Sequence, residues 1–398
     1  MTTTPLSGLR VLDLTNVLAG PFCAHQLAHL GAEVVKVEAP GRGDLARQLG
    51  ADPALNAAGM GVSFLAQNAG KKSVTLNLKA AAGKEVFLRL VESADVVLEN
   101  FRPGVMSRLG LDYPVLKQAR PDLVYCAISG FGQDGPWVTR PAYDQIVQGA
   151  AGVMSITGDG DSAPLRVGYP LADTVGGMTA AFAIAAALNA RPRGTMIDVS
   201  MLESVIATMG WVVSNYLIAG VTPAAVGNEN LTSAPSGTFA AADGPLNIAA
   251  NKDEHWRQLA EHLGRADLLE NPDYRTREDR KAHRMALKAE LESVLRTRPA
   301  EAWARELNAL GVPAGAILTV PEVLAHPQIA DRGLLADFAA VPGVDQDIQV
   351  VRTGVKLDGA APAVDSPPPV LGQDNAEIYG DLGLDAAARD ALAADGVI

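Results

Sequence analysis

LRVLDLTNVLAGPFCAHQLAHLGAEVVKVE, residues 9–38, predicts a strand, a helix and a second strand in succession. The apolar segment Leu9–Leu14 is typical of a short buried strand. The helix covers Pro21–Leu30, and Gly31 ends it. Glu33–Glu38 is the second strand. This βαβ unit predicts a parallel sheet with helices covering both faces.

The same alternation continues through the first half of the chain. We predict further strands at Ser73–Leu78, Asp95–Glu99, Leu123–Ile128 and Met196–Ser200. The intervening helices are predicted at Ala82–Glu92, Tyr113–Ala119, Thr174–Asn189 and Leu202–Ile218. The predicted fold class is therefore α/β, with a Rossmann-like doubly wound sheet in a large domain.

The composition changes after the last of these helices. Gly220–Gly237 lacks periodicity and is interpreted as a linker. A smaller α/β domain follows, with helices predicted at His255–Leu263 and Lys281–Leu295. The final helix is predicted near Ala386–Ala394.

Composition and charge exclude several classes of function. The 398 residues carry a formal net charge of -12, which argues against binding to nucleic acid or to an anionic membrane. Apolar stretches such as Ala180–Ala187 are too short to span a bilayer. Cys23 and Cys126 lack metal-ligand spacing, so no metal site is expected. The N-terminus does not resemble a secretory signal, and we expect a cytoplasmic protein.

The segment VGYPLADTVGG, residues 167–177, places Asp173 between an extended stretch and a helix. Asp173 is either a helix N-cap or a nucleophilic carboxylate. The two roles are compatible, because a helix N-terminus favours the ionised form. Gly176 and Gly177 indicate either close helix packing or close approach of a ligand to the backbone.

Basic residues gather around the ends of the first strands. They bind phosphates at the carboxyl edge of the sheet or are solvated surface charges: Lys36, Arg42, Arg47, Lys71, Lys72, Lys79, Arg102 and Arg108. No GxGxxG follows a strand, so NAD-dependent oxidoreductase chemistry has no support. Gly70-Lys71-Lys72 does not complete a P-loop.

Several motifs occur together in order along nearly the whole chain. They are Leu12–Pro21, Gly31–Glu38 with Gly43-Asp44, Asn68–Lys79, Glu99–Gly104, Arg108–Gly110, Ser129–Gly132, Tyr143-Asp144 and the Asp173 segment. In this combination the sequence resembles class III CoA-transferases of the formyl-CoA transferase and carnitine CoA-transferase type.

The resemblance implies a role for Asp173 as a covalent nucleophile that passes through an anhydride and an aspartyl-CoA thioester. Coenzyme A and acyl-CoA are then substrates, and no tightly bound cofactor is expected. The residues implied to contact CoA are Val17, Ala19, Leu76, Lys79, Asn100, Phe101, Arg108 and Tyr143. Arg42 is expected to replace a family arginine that is Ala39 here.

Two further departures from the family concern the acid-binding region. Pro141 stands where the family has a lysine, with Arg140 beside it. The glycine-rich loop of formyl-CoA transferase is absent between Gly237 and Asn251, so a preference for oxalate or formate is not indicated.

The resemblance also implies an interlocked homodimer. The large CoA-binding domain would comprise residues 1–222, the small domain residues 223–324, and residues 325–398 would return to the large domain. The site would lie where the large domain of one chain meets the small domain of its partner.

Two alternatives stay open. A 2-methylacyl-CoA racemase of the same fold needs two acid–base groups, and its histidine position is Tyr143 here. Tyrosine is a poor base at neutral pH, which favours transfer. A non-catalytic CoA-ester-binding protein would lack the carboxylate of Asp173.

The sequence does not identify the acids. Succinyl-CoA is a plausible donor, and small carboxylic or dicarboxylic acids are plausible acceptors. Residues predicted to contact the acid are Arg47, Arg140, Asp144 and Arg166.

Overall fold

The computed structural model describes residues 4–362, 364 and 366–398. Within these residues, six parallel strands form one sheet in the order β3-β2-β1-β4-β5-β6. The strands are β1 Arg10–Asp13, β2 Glu33–Glu38, β3 Lys71–Thr75, β4 Val96–Glu99, β5 Val124–Ser129 and β6 Thr195–Ser200. This is the order of a doubly wound sheet, and the predicted fold class is confirmed.

Helices accompany the sheet along the chain. They are α1 Ala19–His29, α2 Pro53–Ala57, α3 Val62–Leu65, α4 Ala81–Glu92, α5 Val105–Leu109, α6 Tyr113–Ala119, α7 Asp144–Ala150, α8 Leu171–Asn189, α9 Met201–Thr208 and α10 Trp211–Ala219. Every residue of β4 and β5 is buried, as expected for parallel strands with both faces covered.

A second compact unit comprises Met154–Leu165 and Thr222–His326. Its elements are β7 Ser236–Ala240, β8 Pro245–Ala249, α11 Asp253–His262, α12 Asp267–Glu270, α13 Arg277–Ala282, α14 Arg284–Leu295, α15 Ala300–Ala309, β9 Ala314–Ala316 and α16 Val320–Leu324. The segment Met154–Leu165 groups with this unit, although the sequence suggested one uninterrupted large domain before the linker. The domain boundaries as such stay a prediction.

The C-terminal part groups with the first unit. It contains α17 Pro327–Arg332, β10 Leu335–Phe338, β11 Ile348–Val351, α18 Asn375–Asp381 and α19 Ala386–Ala394. The carboxylate of Asp374 accepts a hydrogen bond from the Ser73 N–H, and the Asn375 amide oxygen accepts one from the Thr75 N–H. The tail thereby satisfies backbone donors on β3 at the edge of the sheet.

Three predictions about helices are corrected. The predicted helix Leu202–Ile218 is two helices bent by 79°, because Gly210 adopts φ 51° and ψ -117° between them. The predicted helix Lys281–Leu295 is interrupted at His283. Helix α8 is long and apolar enough to cross a membrane by length and composition, so the prediction that every apolar stretch is too short for this was wrong.

Candidate active site

The site lies at the point where the strand order reverses, between β1 and β4. Asn16 and Asn100 follow these two strands and are joined across the gap. The Asn16 N–H donates to the Asn100 Oδ1 at 2.9 Å, and the Asn100 Nδ2 donates to the Asn16 carbonyl at 2.8 Å. Open α/β sheets place ligands in the crevice at such a reversal.

A cavity of about 290 Å³ opens beside this pair. It is lined by loops and helix starts that follow the carboxyl ends of the strands: Asn16, Val17, Leu18, Ala19, Leu45, Asn100, Phe101, Arg102, Ile128, Ser129, Gly130, Ala142, Tyr143, Asp173 and Met201. Asp173 supplies the carboxylate of this cavity, beside apolar side chains, the amide of Asn100 and the cationic side chain of Arg102.

Asp173 is the third residue of α8 and not its N-cap. The N-cap is Pro170, which offers no side-chain hydrogen bond. The capping interpretation from the sequence was therefore wrong. Among the described residues, the Asp173 carboxylate has no hydrogen-bond partner. It therefore makes no structural hydrogen bond that would explain its presence.

Burial raises the pKa of Asp173 from 3.8 to about 7, and the nearby charge of Asp144 adds to this. The positive end of the α8 dipole acts in the opposite sense. The carboxylate is therefore poised between its acid and its ionised form near neutral pH, where ionisation supplies a nucleophile.

Asp144 begins α7 and supports the start of α8. Its Oδ2 accepts a hydrogen bond of 2.8 Å from the Gln148 Nε2, whose side-chain oxygen accepts from the Val167 N–H at 2.9 Å. The Arg166 Nη2 lies 3.9 Å from the Asp144 Oδ2, and about half of the Arg166 side chain is exposed. Asp144 and Arg166 therefore meet next to the segment that leads into Asp173.

Gly176 and Gly177 allow α8 to pack closely on its neighbours. A Cβ on Gly177 would lie 2.4 Å from the Ala19 carbonyl oxygen, and one on Gly176 would lie 2.8 Å from the Met201 Cγ. Close helix packing thus accounts for both glycines. It also brings the start of α1 next to the start of α8.

The residues implied to contact CoA do not all share the cavity. Val17, Ala19, Asn100, Phe101 and Tyr143 line it with Asp173. The other four lie elsewhere: Leu76 is a buried core residue, Arg42 lines a separate cavity of about 560 Å³, and Lys79 and Arg108 are exposed. Within the described residues, no ion pair engages Arg42, Lys79, Arg102 or Arg108, so these cations are available to phosphates.

Arg47 does not join the site, contrary to the sequence prediction. It is buried, its Nη2 lies 2.7 Å from the Glu38 Oε1, and its guanidinium covers the Phe64 ring at 3.7 Å. Arg140 is exposed and lies over the Trp137 ring at 4.6 Å. Neither residue lines the cavity of Asp173.

Lys36 and Lys71 are neither phosphate ligands nor solvated charges. Both are fully buried, and Lys71 Nζ lies 2.9 Å from the Asp13 Oδ2. Burial alone would raise the pKa of Asp13, but the two ammonium groups outweigh it and lower that pKa to about 2. These residues form an internal charge network beneath the site.

Several lining residues were not predicted from the sequence, among them Leu18, Leu45, Ala142 and Met201. Met201 directly follows β6, so its position after a strand end was a usable signal. Gln148 was also missed, although its spacing of four from Asp144 on one helix face was visible. No group of three or more His, Cys, Asp or Glu side chains in the described chain is arranged to hold a metal ion.

Comparison with known proteins places this chain in one family. Residues 6–375 match CoA-transferase family III. The chain belongs to this family and is a class III CoA-transferase. The resemblance found in the sequence is thereby confirmed.

Two curated relatives and one solved structure illustrate the match. The acetyl-CoA:oxalate CoA-transferase of Acetobacter aceti is 42% identical over 85% of this chain and 87% of its own length. The succinate–glutarate CoA-transferase of Agrobacterium fabrum is 37% identical over 95% of this chain and 96% of its own. The crystal structure of a CAIB/BAIF family protein from Brucella suis has a TM-score of 0.81 and 35% identity, covering 96% of this chain and 100% of that one.

Proposed function

We propose that this protein transfers CoA from an acyl-CoA donor, with succinyl-CoA the first candidate, to a small carboxylic or dicarboxylic acid through covalent intermediates on Asp173. The observation that carries the proposal is the placement of Asp173. Its carboxylate lies in the site cavity, lacks a hydrogen-bond partner among the described residues, and has a pKa of about 7.

The chemistry proceeds in four displacements. An Asp173 oxygen attacks the donor carbonyl carbon, and the C–S bond breaks. CoA thiolate departs, and a mixed anhydride of Asp173 and the donor acid remains. The thiolate then attacks the Asp173 carbonyl carbon and releases the donor acid. The acceptor carboxylate displaces the thiolate from Asp173, and the thiolate finally attacks the acceptor acyl carbon. Asp173 is regenerated, and no net proton is consumed.

The start of α1 supplies backbone N–H groups that can donate hydrogen bonds to the oxygen of each attacked carbonyl, where negative charge develops. Leu18 is the N-cap and makes no side-chain cap hydrogen bond, and both Leu18 and Ala19 line the cavity. The first backbone N–H groups of a helix have no partner within the helix. They are suited to hold an oxyanion, which is worth several kcal/mol in a water-excluded site.

For a dicarboxylic acceptor, Arg166 is the residue proposed to bind the second carboxylate. The guanidinium of Arg166 lies beside Asp144 and is partly exposed, so it can reorient toward an anion. The relatives named for oxalate, glutarate and mesaconate support acids of this kind. Leu18, Leu45 and Met201 provide an apolar wall for a short carbon chain between two carboxylates.

An exchange assay tests the proposal. Purified protein receives succinyl-CoA and a pool of oxalate, glutarate, mesaconate and citramalate, and new CoA esters are identified by mass spectrometry. We expect at least one new ester with wild-type protein and none with Asp173→Asn. Asp390→Asn, on the exposed face of α19, is the matched control and should retain transfer.

A parallel reaction in D2O contains a 2-methylacyl-CoA alone. Deuterium at the α-carbon without any new ester in the exchange assay would contradict the proposal and support racemisation. Ester formation that survives Asp173→Asn would also contradict it, because the transfer would then not pass through that carboxylate.

We also propose that the active form is an interlocked homodimer in the cytoplasm. Helix α10 supports the dimer, since none of its residues is buried within the chain. It exposes Trp211, Tyr216, Leu217 and Ile218, the last at 86%. Light scattering on the purified protein should give twice the mass of one chain, whereas a monomeric mass would contradict the dimer.

A further inference from the structure

Val17 is held in a backbone conformation that its side chain disfavours. Its φ is 67°, in the left-handed region. A β-branched residue rarely adopts this conformation, because the Cβ crowds the backbone carbonyl. Val17 also lines the cavity of Asp173. Something outside the segment must therefore fix this conformation.

Asp44 supplies that constraint. Its Oδ1 accepts a hydrogen bond of 2.9 Å from the Val17 N–H and another of 2.9 Å from the Ala46 N–H. Asp44 is 1% exposed and does not line the cavity itself. It therefore reaches the substrate side of the site through Val17 and through its sequence neighbour Leu45, which also lines the cavity.

Lys36 fixes Asp44 from below. Its Nζ lies 2.9 Å from the Asp44 Oδ2 and donates to the Thr15 carbonyl at 2.7 Å. The Asn16 backbone is held on its other side by Asn100. Three consecutive residues, Thr15, Asn16 and Val17, are thus each held by a hydrogen bond to a side chain distant in sequence, from Lys36 on β2, Asn100 after β4 and Asp44 after β2.

We propose that Asp44, oriented by Lys36, is a positioning residue that holds Val17 in its left-handed conformation and so shapes the Asn16–Ala19 wall of the CoA-transfer site. The ionised form of Asp44 is favoured, since Lys36 and the Val17 and Ala46 N–H groups outweigh burial and lower its pKa. This positioning role depends on the one Asp44 oxygen that accepts the Val17 N–H. A substitution can therefore remove the charge of Asp44 and keep that oxygen.

A matched pair of double variants separates the acceptor from the ion pair. Lys36→Met/Asp44→Asn removes both charges and keeps an oxygen for the Val17 N–H. Lys36→Met/Asp44→Ala removes both charges and the oxygen. Changing both partners avoids leaving an uncompensated buried charge, which by itself would destabilise the fold.

We expect kcat/KM for CoA transfer to be at least tenfold lower in the alanine double variant than in the asparagine double variant. Adding Val17→Gly to the alanine variant should recover most of that loss, because glycine adopts positive φ without strain. A merely structural role for Asp44 would not be relieved by glycine at position 17. Equal activity of the two double variants, or no recovery by Val17→Gly, would overturn the proposal.

Hydrogen–deuterium exchange gives a second readout that does not depend on transfer. The peptide covering Thr15–Ala19 should exchange at least tenfold faster in the alanine variant than in the asparagine variant, and equal exchange would overturn the proposal. If wild-type protein fails to transfer CoA, the proposed function fails, while the exchange comparison still decides the role of Asp44.

Discussion

The Oδ1 atom of Asp144 accepts a hydrogen bond of 2.8 Å from the N–H of Ala172, the residue directly before Asp173. Helix α8 has no cap of its own because Pro170 precedes it. The cap comes instead from α7. The same carboxylate raises the pKa of Asp173 by its charge, so one residue both fixes the helix start and tunes the nucleophile.

Asp144→Asn should separate these two effects. The amide oxygen still accepts from Ala172, but the negative charge is lost, so the pKa of Asp173 falls. Burial remains the larger cause, and the pKa should stay above 3.8. The rising limb of a kcat/KM profile against pH should therefore move to lower pH. Asp144→Ala serves as the comparison and should also lose about 1 kcal/mol of stability with the cap.

The wild-type pH profile should reflect Asp173 directly. The attacking group is the carboxylate, and its pKa is about 7. Transfer activity, measured as kcat/KM between pH 5 and pH 9, should rise with pH and level off above about 7. A profile that is flat down to pH 5 would mean that Asp173 is ionised throughout.

Asp173→Asn should stabilise the protein at high pH. The folded pKa of about 7 exceeds the unfolded value of 3.8, so wild-type stability falls as pH rises between these values. Asparagine does not titrate, and the variant should gain up to about 4 kcal/mol relative to wild type above pH 7. Thermal unfolding at pH 5 and pH 8 checks this, and a difference that does not grow with pH would contradict it.

Gly177→Ala should disturb the junction of α1 and α8. The new Cβ would meet the Ala19 carbonyl oxygen at 2.4 Å, so the helices must separate. We expect a loss of about 1–3 kcal/mol in the free energy of unfolding and reduced transfer. Gly168→Ala is the control, because nothing lies within 4 Å of the corresponding Cβ. Equal behaviour of the two variants would argue against close packing at Gly177.

Arg47→Ala should act on stability and not on acid recognition. The substitution leaves Glu38 buried without its ion-pair partner, and such a change typically costs about 3–5 kcal/mol. Denaturant unfolding measures this cost. A fully stable variant with a raised KM for the acceptor acid would contradict this and would indicate that Arg47 contacts the substrate.

The sheet was largely predictable because its strands are local and apolar. Glu33–Glu38 was predicted with the bounds that the structure shows. The break at Gly210 was not predicted, since a single glycine in an apolar run does not reveal its backbone angles. The apolar periodicity there predicted helical structure but not the change in direction between α9 and α10.

The site was predictable in its nucleophile and only partly in its surroundings. The motif around Asp173 and the asparagine after β4 stand out in the sequence. The sequence does not reveal the ion-pair partners of Arg47 and Lys36, because Glu38 and Asp44 approach them only in the folded chain. A basic residue after a strand can bind a phosphate or complete a buried ion pair, and composition does not distinguish the two.

Peptide mass spectrometry of protein incubated with succinyl-CoA alone and quenched in acid tests the covalent role of Asp173 most directly. We expect the peptide containing Asp173 to gain the mass of one CoA less one water, and Asp173→Asn to abolish the adduct. Succinyl-CoA that supports transfer to an acceptor while no adduct forms at Asp173, or an adduct on another residue, would contradict it.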